Sequence, residues 1–261
     1  MDSFSETAIE VRDLFFSYRS FEVLHGITFQ IRHGEMVGLL GPNGAGKSTT
    51  LKILTGILPT SEGKVHITGY ALPEQHLEAK QVIGYLPESP LLYECLSGTE
   101  FLEFMGRLQG LEEKILQERI RALLKIFELD NVRVPRLSSY SKGMRQKILL
   151  SAALLHDPDI LLLDEPLSGL DVDTSILIKD LLAALAAHGK TILYSSHVLD
   201  VVEKVCDRIL LIDHGSLIAD APLEELKSRT SEKSLEDIFR KLTHSEDTGP
   251  RIARVLEALQ I

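Results

Sequence analysis

The sequence predicts an α/β fold with a mostly parallel sheet, an antiparallel β section near its N-terminus and a helical insert. Three observations carry this. The apolar run Met36–Leu40 leads into a glycine-rich loop and then into the helical periodicity of Thr50-Leu51-Lys52-Ile53-Leu54. In Asp159-Ile160-Leu161-Leu162-Leu163 the apolar residues are continuous, as in a parallel strand buried on both faces. From Thr99 to Phe127 the pattern turns helical and interrupts the strand–helix alternation, which marks an insert.

Taken in order, alternation in Ile9-Glu10-Val11-Arg12 and again from Val23 to Ile31 suggests an antiparallel strand pair. Between them lie Phe15, Phe16 and Tyr18, any of which can stack on a purine or pack in the core. Tyr18 opens the polar turn Tyr18-Arg19-Ser20 and is the better stacking candidate. Gly63–Thr68 and Val82–Leu86 read as strands, and Pro87-Glu88-Ser89-Pro90 breaks the pattern. In the insert, Ile115, Arg119, Leu123, Leu124 and Phe127 are expected on one face. Lys142–Leu155 is expected to be helical, as is the stretch holding Ile178, Leu181, Leu182 and Leu185. Thr191–Tyr194 and Ile209–Ile212 are expected strands. Two amphipathic patterns follow, Leu235-Ile238-Phe239-Leu242 and Ile252-Val255-Leu256-Leu259, separated by Gly249-Pro250.

Composition narrows the function classes. The 261 residues suffice for one large domain or for a core with an insert. With 28 Lys and Arg against 38 Asp and Glu, the net charge of −10 argues against a general nucleic-acid binder. No apolar run is long enough to span a membrane. The opening Met1-Asp2-Ser3-Phe4-Ser5-Glu6 lacks the blocks of a signal peptide. Cys95 and Cys206 form no CxxC pair and are expected as free thiols in a reducing cytoplasm.

The chemistry centres on Gly41-Pro42-Asn43-Gly44-Ala45-Gly46-Lys47-Ser48-Thr49. Glycines let successive backbone N–H groups turn inward around phosphate oxygens, and the following helix offers its positive end to the same anion. Lys47 can reach the outer phosphates and Ser48 can offer its hydroxyl to Mg²⁺. Asp164 and Glu165, at the end of an apolar strand, face the ligand crevice of an open α/β sheet. Asp164 is expected to hold Mg²⁺ and Glu165 to orient or deprotonate the attacking water. His197, just past another strand, can reach a γ-phosphate. Ser141 is either a helix N-cap or part of a second anion site at a helix start, and both readings fit.

Together these pieces resemble the nucleotide-binding subunit of an ATP-binding cassette transporter over roughly residues 8 to 220. Gly41–Thr49 matches the Walker A loop and Ile160–Glu165 the Walker B strand with its acid. Tyr18 sits at the place of the family's adenine-stacking aromatic, and His197 at that of its switch histidine. Tyr140-Ser141-Lys142-Gly143-Met144 corresponds to the signature usually written Leu-Ser-Gly-Gly-Gln, and Ser168-Gly169-Leu170-Asp171 to the loop that faces the dimer partner. Glu88 stands where the family usually has glutamine, Lys142 replaces the signature's first glycine, and Val172 replaces a common proline. With Ser234–Phe239, these variants look like the subfamily of drug, antibiotic, sodium and lipid exporters.

The resemblance implies a P-loop NTPase (RecA-like) core with an N-terminal antiparallel β subdomain and a helical insert. It places an ATPase domain at residues 1–220, its helical subdomain at about 89–150, and a helical tail at 221–261. It implies ATP and Mg²⁺ as cofactors and a homodimer in which Ser141, Gly143 and Asp171 complete the partner copy's site. Glu88 would join Ser48 and Asp164 near the metal. A separately encoded transmembrane permease would hold the chain on the cytoplasmic face of the membrane, with residues 89–110 as its contact. The rival reading is a cassette ATPase of translation or DNA repair without a membrane partner. Such relatives generally carry two cassettes or a long coiled-coil insert.

Overall fold

A computed structural model describes residues 6–60, 62–89, 92–130 and 136–243. The chain opens with strands β1 (Thr7–Tyr18) and β2 (Phe21–Arg32), followed by β3 (Met36–Leu40) and helix α1 (Lys47–Leu54). Then come β4 (Glu62–Ile67), β5 (Tyr70–Leu72), α2 (His76–Val82) and β6 (Ile83–Leu86). The insert holds α3 (Gly98–Leu108), α4 (Glu113–Ile126) and α5 (Lys142–Leu154). The α/β pattern resumes with β7 (Ile160–Asp164), α6 (Val172–Ala187), β8 (Thr191–Ser195), α7 (Leu199–Val205) and β9 (Arg208–Asp213). Strand β10 (Ser216–Pro222) and helices α8 (Leu223–Thr230) and α9 (Leu235–Leu242) close the described chain.

Two sheets result, as expected. The first has the order β2-β1-β4-β5 and is antiparallel; the second has the order β10-β9-β3-β8-β7-β6. In the second, β9, β3, β8, β7 and β6 run parallel, and β10 pairs antiparallel at the edge. Every residue of β3, β7 and β8 is buried, because layers cover both faces. Alternate residues face opposite cores. Leu161 and Leu163 pack towards the helical insert, α8 and α9, whereas Ile160 and Leu162 pack with the antiparallel sheet and α1.

The insert departs from expectation in its details. A break around Gly110, at φ +74°, divides it, so Thr99–Phe127 is two helices. The buried face of α4 is Leu116, Ile120 and Leu124, with Phe127 just beyond. Ile115 is 40% exposed, and Arg119 donates to the Leu155 carbonyl at 2.9 Å. Residues 115/119/123 and 116/120/124 are equal i,i+4 ladders; Gly106 selects the second by admitting Leu116 against α3. The start of α3 is fixed by a capping box: Ser97 Oγ accepts from Glu100 N at 3.1 Å, and Glu100 Oε2 accepts from Ser97 N at 2.8 Å.

Helix α9 buries Leu235 and Ile238, matching the first tail pattern. The second, Ile252–Leu259, lies outside the described residues. Cys95 and Cys206 are free thiols. No helix among the described residues is long and apolar enough to cross a membrane.

Candidate functional site: a nucleotide cleft

The turn between β3 and α1 is built by close backbone approach. A Cβ on Gly41 would come within 2.1 Å of the Ile212 carbonyl, so only glycine lets the loop lie against β9. Ala45 N donates to Pro42 O at 3.1 Å, and Gly46, at φ +112°, turns the chain into α1. The loop is also tied to the turn between β9 and β10. Gly215 N donates to Ala45 O at 3.1 Å, and Gly215 O accepts from His25 N of β2 at 2.9 Å.

Lys47 is buried and folded over the loop, with Nζ donating to Gly41 O at 2.7 Å and Pro42 O at 3.1 Å. Burial holds its ammonium below the usual lysine range, while the nearby charges of Glu165, Asp164 and Glu88 oppose that shift.

The loop borders a cleft of about 550 Å³. Its lining includes Tyr18, Phe21 and Val23 of the antiparallel sheet region and Asn43, Gly44, Gly46 and Lys47 to Thr49 of the loop and α1. Glu88, Asp164, Glu165 and His197 complete it. Aromatic surface, glycine-rich loop and carboxylates therefore share a single cleft. Tyr18 is the last residue of β1 and lies opposite Phe21 in the antiparallel register. The edge of Phe16 supports it, with ring centroids 4.9 Å apart. Phe16 is buried and Phe15 packs over Gly26, so of the three aromatics Tyr18 is the one in the cleft.

The acidic end is firmly held. Asp164, at the end of β7, is buried; burial raises its pKa, the Ser48 hydroxyl opposes this, and repulsion from Glu88 and Glu165 adds to it. Glu165 is 8% exposed and sits at φ +53°, in the left-handed region, a local strain of the kind that gathers at functional sites. Its backbone N donates to Ser195 O at 2.9 Å. Its Oε2 accepts from Ser196 Oγ at 3.1 Å, and its Oε1 accepts from His197 N at 2.8 Å and His197 Nδ1 at 2.6 Å. Gln146 of α5 donates Nε2 to the Pro166 carbonyl at 3.2 Å, which steadies the turn after Glu165.

The expected residues separate into two groups. Tyr18, Asn43, Gly44, Gly46, Lys47, Ser48, Thr49, Glu88, Asp164, Glu165 and His197 share the cleft, with Gly41 beneath it. Ser141, Gly143 and Asp171 lie outside it. Ser141 caps α5, accepting from Met144 N at 3.2 Å; Asp171 caps α6, accepting from Thr174 N at 2.8 Å. Gly143 lies near the Gly169 carbonyl, 3.2 Å from where a Cβ would stand. Phe21, Val23, Ser196 and Gln146 went unrecognised in the sequence. The pairing of Tyr18 with Phe21 across a two-residue turn could have revealed Phe21. Nothing in the local sequence marks Gln146.

A phosphate loop, a strand-end acid pair and a doubly wound sheet define a nucleoside-triphosphate-binding ATPase class. The family profile described as "ABC transporter" matches residues 24–168. An uncharacterized ABC transporter ATP-binding protein of Nostoc sp. is 42% identical over 205 residues, 78% of this chain but 61% of that relative. The linearmycin resistance ATP-binding protein LnrL of Bacillus subtilis is 37% identical over 82% of this chain and 68% of its own length. Among solved structures, an ATP-binding subunit of an ABC transporter superposes with a TM-score of 0.86 at 34% identity. That match covers 91% of this chain and all of the other. A dimeric bacterial ABC transporter cassette gives 0.76 at 25% identity, over 82% and 98%. The chain belongs to the ABC transporter family as an ATP-binding ATPase subunit, and its named relatives include resistance and export proteins.

Proposed function

We propose that two copies of this chain close head to tail around two Mg²⁺-ATP and so drive a separately encoded permease, in the export direction. One observation carries the dimer. Each cleft holds the phosphate loop, both acids and His197, whereas Ser141, Gly143 and Asp171 stand outside it, with Ser141 and Asp171 exposed at helix starts where a partner's cleft could meet them. A C2 arrangement makes the two composite sites equivalent. The dimeric relative supports the assembly, and relatives named for linearmycin resistance and Nod factor export support the direction. We propose residues 1–220 as the ATPase domain, with 89–150 as its helical part and 221–261 as a tail.

Each residue's work follows from its place. Tyr18 stacks on the adenine, and Gly41, Asn43, Gly44, Gly46 and Thr49 shape and line the phosphate cradle. Lys47 leaves its loop carbonyls for the outer phosphates. Ser48 and Asp164 supply hard oxygens suited to Mg²⁺, which keeps several waters and takes few carboxylates, and Glu88 faces the same space. A Mg²⁺ held there by Ser48 and Asp164 would neutralise charge developing on the phosphates. Glu165 accepts the proton of the attacking water, and His197 donates to the γ-phosphate. Loss of that phosphate removes the bridge between copies, so hydrolysis opens the dimer.

The permease surface is an apolar groove of about 330 Å³ beside α3, lined by Ile57, Tyr85, Tyr93, Phe101 and Met105. Next to it Tyr93 and Phe104 are 56% and 38% exposed, their rings edge to face at 5.4 Å. It overlaps the 89–110 stretch and would hold the chain on the cytoplasmic face of the membrane. The deciding experiment compares wild type with Glu165→Gln. The variant should bind Mg²⁺-ATP and become dimeric, with hydrolysis reduced roughly 10²–10⁴-fold, the value of a general base. Wild-type turnover in Glu165→Gln would overturn the assignment.

A further inference from the structure

A second cleft adjoins the nucleotide cleft at Glu88. It has a volume of about 450 Å³ and runs from Glu88 and Ser89 to Lys142, Arg145 and Ser168. Glu88 lines both spaces, whereas Lys142 lines only the second. The two unusual charges of this chain, an acid for glutamine and a cation for glycine, therefore line one open cleft.

The other groups there are already occupied. Arg145 pairs with Glu94 at 2.9 Å and donates to the carbonyls of Tyr140 and Ser138 at 3.2 and 2.9 Å. Lys142 Nζ donates to a neutral group, Ser168 Oγ, at 3.0 Å. Its stem covers Gly169, where a Cβ would meet Lys142 Cδ at 2.7 Å, and this packing leaves the ammonium at the cleft. Among the described residues neither Lys142 nor Glu88 takes part in an ion pair within 4 Å.

Glu88 places a third carboxylate beside Asp164 and Glu165 around Lys47. A triphosphate entering that space meets repulsion that a glutamine would not add. A cation lining the adjoining open cleft offsets part of it, through an attraction that salt screens because both side chains are exposed.

We propose that Lys142 is the countercharge of Glu88 within the same chain, and that its ammonium makes a glutamate beside the nucleotide phosphates compatible with tight Mg²⁺-ATP binding. The proposal rests on the nucleotide reading of the main cleft. Lys142 is a positioning residue here: it acts on its own chain's nucleotide through Glu88. The two departures from the family pattern are one device, so the loss of Lys142 matters where Glu88 is charged.

The test is a double-mutant cycle on the full chain, read as Mg²⁺-ATP affinity by calorimetry. Lys142→Met keeps a stem over Gly169 and removes the charge. It should weaken binding about 5-fold beside Glu88, and less than about 2-fold in the Glu88→Gln background. The 5-fold deficit should shrink as salt rises towards roughly 0.5 M. Lys142→Arg should remain within about 2-fold of wild type. Equal losses in both backgrounds would assign the effect to the Ser168 bond or to a second copy, and overturn the proposal. No loss in either background overturns it as well. Failure of the wild type itself to bind Mg²⁺-ATP would overturn the nucleotide reading, and the proposal with it.

Discussion

Glu165 and His197 are joined twice: the backbone N and the ring Nδ1 of the histidine both donate to the same carboxylate oxygen, at 2.8 and 2.6 Å. The second oxygen takes the Ser196 hydroxyl. With Nδ1 committed, Nε2 is the ring nitrogen left for a phosphate oxygen, and the side chain is 64% exposed at the cleft. Acid and histidine therefore move as one unit.

Ser196→Ala should lower kcat about 10-fold and leave KM for ATP within 2-fold, because its hydroxyl orients the carboxylate without lining the cleft. Ser196→Thr restores the hydroxyl and should recover most of the rate. A KM change equal to the kcat change would show instead that Ser196 shapes binding.

Asp164→Asn should stabilise the nucleotide-free protein near neutral pH while removing Mg²⁺-dependent nucleotide binding. Burial raises the Asp164 pKa above its ordinary 3.8. Its ionised form therefore opposes folding, and the penalty is complete only above that raised value. Thermal melts of the two proteins should differ by roughly 2–4 °C at pH 7 and converge as pH falls towards the ordinary aspartate range. A variant less stable than wild type at pH 7 would contradict this.

Gly41→Ala puts a methyl group 2.1 Å from the Ile212 carbonyl. Backbone on both sides cannot yield easily, so unfolding should be easier by about 1–3 kcal/mol, with loss of nucleotide binding. Gly44→Ala makes the informative contrast: nothing lies within 4 Å of its Cβ, and φ of +83° is the only penalty. Denaturant midpoints of the two variants should rank in that order.

Tyr93→Ser with Phe104→Ser should leave ATP hydrolysis by the isolated chain within about 2-fold, since both side chains lie away from the nucleotide cleft. Co-purification with the permease should fall sharply, as expected for exposed aromatic anchors of an interface. Undiminished association would move the permease surface elsewhere.

Much of the architecture was legible because its signals are local. The apolar strands β3, β7, β8 and β9 and the glycine loop each announce themselves within ten residues. Along α4 and just beyond it the expected Leu124 and Phe127 are buried, but Leu116 and Ile120 replace Ile115 and Arg119, because neighbouring i,i+4 ladders look alike in sequence and the selecting partner is Gly106 on another helix. Strand β10 and helices α2, α7 and α8 were not anticipated; they are short, and what marks them is the element each packs against. The same holds for the site. Lys47, Asp164 and Glu165 follow from residue type at a strand end, whereas Gln146 becomes visible only when α5 lies against the Pro166 carbonyl.

Gly215 has a consequence for how the cleft measures its ligand. It grips Ala45 of the phosphate loop with its N–H and His25 of β2 with its carbonyl, and a Cβ there would strike the Val23 carbonyl at 2.3 Å. Val23, the aromatics and the phosphate loop line the same cleft. The turn after β9 is thus the gauge block of the site: it sets the distance between the aromatics and the phosphate loop without lining the cleft itself. A turn one residue longer would leave a working anion cradle and a working aromatic shelf that no longer fit the same molecule.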